Sequence, residues 1–109
     1  MLITFTTPHH ADITMFGDVG KEMIRLMGHS GSIPGAILAE DVPAALERLR
    51  SAVEANPDRP LNPHHEDEDA DARGQSVSLR HRAMPLIDLL QTAAREEENV
   101  MWEASGGGA

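Results

Sequence analysis

Cysteine and tyrosine are absent from this 109-residue chain, lysine occurs once, and the large aromatics are one tryptophan and two phenylalanines. Without cysteine there are no disulfides, no thiolate nucleophile and no Cys-ligated zinc or iron–sulfur centre. Basic groups are few: Lys21 and eight arginines face 18 acidic residues, for a formal charge of −9. Binding to nucleic-acid phosphates needs clustered Lys and Arg, and single strands need aromatic stacking platforms. Attachment to an anionic membrane surface needs a polybasic patch. All three are missing, so neither nucleic acid nor membrane is an expected partner. No apolar run approaches the roughly 20 residues of a membrane helix. Residues 1–12 hold neither the basic nor the apolar region of a signal peptide. The expectation is a cytoplasmic protein.

What is present falls into three stretches. Residues 1–55 carry 7 acidic and 4 basic groups and alternate apolar periodicity with glycine. Residues 56–76 carry 6 acidic and 2 basic groups, with Pro57, Pro60 and Pro63 and almost no large aliphatics. Such a composition cannot offset the entropy of ordering the chain, so a disordered acidic linker is expected there. Residues 77–109 resume the apolar pattern. The reading is one domain over residues 1–103, interrupted at 56–76, with a flexible tail at 104–109. Its foldable part, about 85 residues, buries a modest share of its surface, and dimerisation would add to its stability.

Strand periodicity runs from Leu2 to Thr6, with Ile3 and Phe5 on one face. Ile13 to Phe16 reads as a second strand; the rival reading is one helix from Pro8 through Met27. The hairpin is preferred, because Gly17-Asp18 suits a cap better than a helix interior, with Asp18 as the N-cap. A helix follows with Val19, Met23, Leu26 and Met27 on one face, closed by Gly28. The run Ala36-Ile37-Leu38 is apolar but short. Asp41 caps a second helix, with Pro43 in its first turn and a stripe of Val42, Leu46, Leu49 and Val53. Ser78 caps a third helix, whose apolar face is Leu79, Ala83, Leu86, Ile87, Leu90 and Ala94. Glu96-Glu97-Glu98 opposes the dipole at its C-terminus and suggests fraying. Val100 to Trp102 closes the sheet, with Trp102 buried against the helices. The fold class is α+β: a small antiparallel sheet of two N-terminal strands and a C-terminal strand, covered on one face by three helices. Its exposed edge makes a homodimer plausible.

Several blocks carry a resemblance: Met1-Leu2-Ile3-Thr4-Phe5, Asp12 to Gly17, Met27-Gly28 with Gly35-Ala36-Ile37, Val77 to Ile87, and Val100-Met101-Trp102. Together they resemble a family of small proteobacterial proteins, domain of unknown function 1840, across most of the chain apart from the linker and tail. What the resemblance implies is bacterial origin and a cytoplasmic location. It implies no catalytic residues.

Three features invite a functional reading. His9-His10 and His64-His65, the latter beside Glu66 to Asp69, offer imidazole and carboxylate to a metal such as zinc or nickel. Adjacent residues point apart, however, and ligand spacing is missing. The glycines Gly28, Gly31 and Gly35 surround Ser30 and Ser32 and could form an anion nest, although a helix C-cap followed by a turn explains them as well. The third is Arg80-His81-Arg82, cationic where a helix N-terminus favours anions. Pro85 in the same helix removes the bond to the His81 carbonyl and should kink it. Ion pairing with acidic neighbours is the plain explanation; a docking site for an anionic partner or ligand is the functional one. No acid–base pair, triad or cofactor fingerprint is visible, so no cofactor is expected and catalysis is disfavoured. The sequence reads as a non-catalytic binding or regulatory module with an unidentified protein or anionic ligand as partner. The alternative is a metal-binding protein using its histidine pairs and acidic linker.

Overall fold

The computed structural model describes residues 1–29, 31–60 and 78–105. Strand β1 (Leu2–Thr7) and strand β2 (His10–Phe16) form the expected hairpin. Strict alternation sends Ile3, Phe5 and Thr7 inward and leaves Leu2, Thr4 and Thr6 toward the other face. On that outer face the Thr4 and Thr14 hydroxyls meet at 3.0 Å across the hairpin.

Helix α1 (Gly17–Leu26) starts two residues earlier than Asp18 capping would allow. Phe16 occupies the cap position and makes no side-chain cap bond, so Asp18 belongs to the first turn. Gly17 fixes the start: its N–H donates to the Met1 carbonyl at 2.9 Å, and a Cβ there would lie 3.2 Å from that oxygen. The buried face of α1 takes Gly20 and Ile24 with Val19 and Met23, while Leu26 is only half-buried. Gly20 admits Ile3, whose side chain would lie 2.9 Å from an added Cβ.

The short run after Pro34 is a strand, β3 (Gly35–Ile37), which pairs with β4 (Val100–Ser105). The sheet therefore has four antiparallel strands in the order β2-β1-β4-β3, not three. Three residues are too few for periodicity to distinguish from a loop, and pairing with β4 decides the matter. β4 also continues through Ala104 and Ser105, paired with Ile3 and Leu2, beyond the tail boundary expected at 104.

A 3-10 turn at Ala39–Asp41 leads into α2 (Val42–Ala55). Asp41 is at the cap position, yet its carboxylate makes no cap hydrogen bond. Helix α3 (Leu79–Glu96) runs unbroken through Pro85 and is capped by Ser78, whose Oγ accepts from the His81 N–H. Instead of fraying, its C-terminus closes on Glu97 in the left-handed region, with the Glu98 N–H donating to the Ala93 carbonyl at 2.9 Å. Asn99 secures the corner: its carbonyl accepts from Thr7 Oγ1 and its side-chain oxygen from the Ala39 N–H, each at 2.8 Å. α1 and α3 pack on β1 and β2, and α2 packs chiefly against α3 and α1. Trp102, 2 % exposed, sits at the centre of the core with its ring 5.8 Å from that of Phe5.

Residues 56–60, part of the compositional linker, are tied down. Pro60 bridges to Ser78, and Arg59 reaches Glu22 of α1 at 2.9 Å. The rest of that linker, like the end of the tail, lies outside the described residues. Glu22 also binds Arg25, and that hydrogen bond holds its carboxyl below the usual range; burial opposes the shift and Arg59 reinforces it. A lowered folded-state pKa stabilises the fold above the ordinary glutamate range and is lost as pH falls through the lowered value. Glu22→Gln should therefore cost about 0.5–1 kcal/mol at neutral pH. The gap from the wild-type protein should close in urea titrations taken down to about pH 3.

Candidate functional site

The histidines separate. His9, in the β1–β2 turn, pairs with the Glu98 carboxylate beyond α3. His10 opens β2, and its Nδ1 donates to the Ala11 carbonyl at 2.8 Å. His64 and His65 lie outside the described residues. Among the described residues no group of three His, Cys, Asp or Glu side chains gathers as a metal site would need. Glu98 Oε1 is buried without a hydrogen-bond partner among them.

Arg80, His81 and Arg82 do open α3, but not as one patch. Successive helical residues are about 100° apart, so positions 80 and 82 face nearly opposite ways. Arg80 turns into a groove between α2 and α3 with Arg50, Glu54, Met84 and Asp88. His81 and Arg82 turn the other way, into a groove of about 520 Å³ along β2. Its lining includes Ile13, Met15, Phe16 and Pro85, and no carboxylate stands among the described residues there. Among the described strands β2 lies at the edge of the sheet, with no strand paired to one row of its backbone N–H and C=O groups. The helix N-terminus itself offers nothing to an anion. Its first amides donate to the Arg59 carbonyl (Leu79, 2.7 Å), the Pro57 carbonyl (Arg80, 3.1 Å), Ser78 Oγ (His81, 3.3 Å) and the Ser78 carbonyl (Arg82, 3.1 Å). The cationic first turn is tolerated because residues 57–59 supply the compensating oxygens.

Ser30 lies outside the described residues, and the neighbouring amides of the glycine loop are used internally rather than opened as an anion nest. Gly28, at φ +86°, donates to the Arg25 carbonyl at 2.9 Å, and His29 donates to the Ile24 carbonyl at 3.2 Å. The Gly31 N–H donates to His29 Nδ1 at 3.2 Å. Trp102 anchors the loop: its indole N–H donates to the Ser32 carbonyl at 2.8 Å, and the His29 ring meets it edge-on at 4.8 Å. Gly35 is required by the same contact, since a Cβ would lie 2.7 Å from the indole. The loop, β3 and the start of α2 together enclose a pocket of about 390 Å³ lined by His29, Asp41 and Arg48 among apolar side chains. Sequence reasoning missed this pocket. Asp41 and Arg48 are seven residues apart, hence on one helix face, which was a legible signal; the approach of His29 was not.

Fold and grooves define a small α+β domain in which the described helices pack on a four-stranded antiparallel sheet. Residues 1–102 match the family described as Domain of unknown function (DUF1840), and the chain belongs to it. Comparisons with curated proteins and with solved structures returned no significant match. No helix among the described residues is long and apolar enough to cross a membrane.

Trp102→Phe preserves an aromatic ring but removes the donor to Ser32. The expected loss is about 1–2 kcal/mol, a buried hydrogen bond with its acceptor left behind. Urea unfolding measures it, and an unchanged midpoint would show that the indole N–H does not hold the loop.

Proposed function

We propose that this protein is a non-catalytic docking module that takes an extended segment of a partner protein, apolar and acidic in composition, onto the free edge of β2. The groove between β2 and the start of α3 carries this reading. Strand addition supplies main-chain hydrogen bonds along an exposed edge, and adjacent pockets select side chains. Ile13, Met15, Phe16 and Pro85 would receive the apolar side chains, and His81 and Arg82 at the rim would favour acidic ones. On a chain of net charge −9, an acidic segment is repelled over most of the surface. A groove rimmed by His81 and Arg82 is therefore a more favourable place for it. The family resemblance supports a bacterial, cytoplasmic setting for the same reading.

Panning a random heptapeptide display library against the immobilised protein tests the proposal. Enriched peptides should alternate apolar residues with Asp or Glu. A synthetic copy should shift the backbone amides of residues 11–16. Arg82→Gln should weaken that peptide by about tenfold, while Arg80→Gln, on the opposite side of α3, should change it by less than about twofold. A basic consensus, or shifts confined to another surface, would overturn the reading. Concentration-dependent self-association that protects residues 11–16 would replace the partner with a second copy of the chain.

A further inference from the structure

We propose that the pocket between the Gly28 turn, β3 and the start of α2 binds a small aliphatic zwitterion: a free amino acid, or a short peptide presenting the same two termini. This site is separate from the β2 groove and does not depend on it. Its volume of about 390 Å³ falls in the range of about 300–1,000 Å³ usual for small-molecule sites.

Charge narrows the ligand. Asp41 and Arg48 both line the pocket, yet neither side chain has a hydrogen bond or ion pair among the described residues. Two helical turns, about 10 Å of rise, separate their backbones. A simple anion would meet the Asp41 carboxylate, and a simple cation would meet the Arg48 guanidinium. A molecule with an ammonium and a carboxylate satisfies both. The Arg48 side chain lies along the glycine turn, where a Cβ on Gly28 would come within 2.8 Å of its Cδ. Glycine at position 28 thus leaves room for the arginine to lie there.

His29 adds direction. Its Nδ1 accepts from the Gly31 N–H at 3.2 Å, so in the neutral ring the proton sits on Nε2. His29 lines the same pocket, and in the bound state that N–H would give the carboxylate a second donor beside Arg48. The ring packs T-shaped against Trp102 at 4.8 Å, so little side-chain freedom remains to be lost on binding. The apolar wall includes Ile37 and Leu38. Leu38 is 55 % exposed, more than any other large hydrophobic side chain among the described residues. An aliphatic ligand side chain would cover it. Among the described strands β3 has β4 on one side and none on the other, so its outer edge adds backbone donors and acceptors.

The test is titration of the full chain, by calorimetry and by amide shifts, with L-leucine and with L-leucyl-L-leucine up to about 20 mM, the range of a weak metabolite site. N-acetyl-leucine, which lacks the ammonium, and leucinamide, which lacks the carboxylate, are the controls. One zwitterion should bind saturably and shift residues 28, 29 and 36–38; whichever binds more tightly identifies the free amino acid or the peptide as the source. Both controls should be weaker by at least about tenfold. Arg48→Gln should lower zwitterion affinity without weakening leucinamide, which should if anything bind better once the like charge is gone, and Asp41→Asn should do the same with respect to N-acetyl-leucine. Both side chains are exposed, and an unchanged far-UV circular dichroism spectrum confirms that each variant folds. No saturable binding of either zwitterion overturns the proposal. So does N-acetyl-leucine binding as tightly as leucine, which would make the pocket a simple anion site.

Discussion

A sheet covered on one side only must fill its inner face from few residues, and in this chain one indole meets that demand. Trp102 lies on β4, the strand between β1 and β3, and its ring packs beside Phe5. Burying so large a ring in so small a domain supplies a sizeable part of the available hydrophobic stabilisation. A buried indole must also place its N–H, and here Ser32 accepts it. That bond draws the Gly28–Gly35 loop onto the sheet. Gly35 then has to be glycine to clear the ring, and His29 is left edge-on against it. The pocket beside Arg48 follows from how the core satisfies its tryptophan.

A second constraint operates at the start of α3. Arginine and histidine in a first turn oppose the helix dipole, a penalty of a few tenths of a kcal/mol per residue. The chain offsets this by folding residues 57–60 back so that the Pro57 and Arg59 carbonyls take two of the free amides. Arg59 then extends to Glu22 and fastens the same segment to α1. The two ends of the acidic stretch are therefore joined at the Pro60–Ser78 bridge, and α2 and α3 can lie side by side whatever the length of chain between them.

Local signals in the sequence suffice where one element decides its own structure. Alternation at Leu2 to Thr6 marks β1, Ser78 marks the start of α3, and Gly28 marks the end of α1. The misreadings share one cause: partners distant in sequence. β3 exists because β4 pairs with it. Gly17 rather than Asp18 sets the start of α1 because Met1 lies against it. Composition placed residues 56–60 in solvent, but their bonds run to α1 and α3. Glu96 to Glu98 looked like a frayed end, yet Glu98 meets His9 from the other end of the chain. For the candidate sites, the triplet at 80–82 was visible as an anomaly. Its division between two grooves needed only the helical angle, whereas the edge of β2 beside it needed the topology.

The net charge of −9 gives the concavities their chemical meaning. On a neutral protein, two or three cationic side chains around a hollow would say little. On an acidic one, they are the places where a carboxylate is not repelled, and exposed like charges farther than about 8–10 Å away are screened at physiological salt. Each groove is therefore governed by its own lining. The β2 groove carries His81 and Arg82, with no carboxylate among its described lining residues, and is the one proposed for an acidic segment. The Gly28 pocket holds Arg48 with Asp41 and suits a ligand of both signs. The α2–α3 groove mixes Arg50 and Arg80 with Glu54 and Asp88, and so favours neither sign. Three hollows on one small domain thus differ in selectivity because helix periodicity distributes a handful of arginines among them.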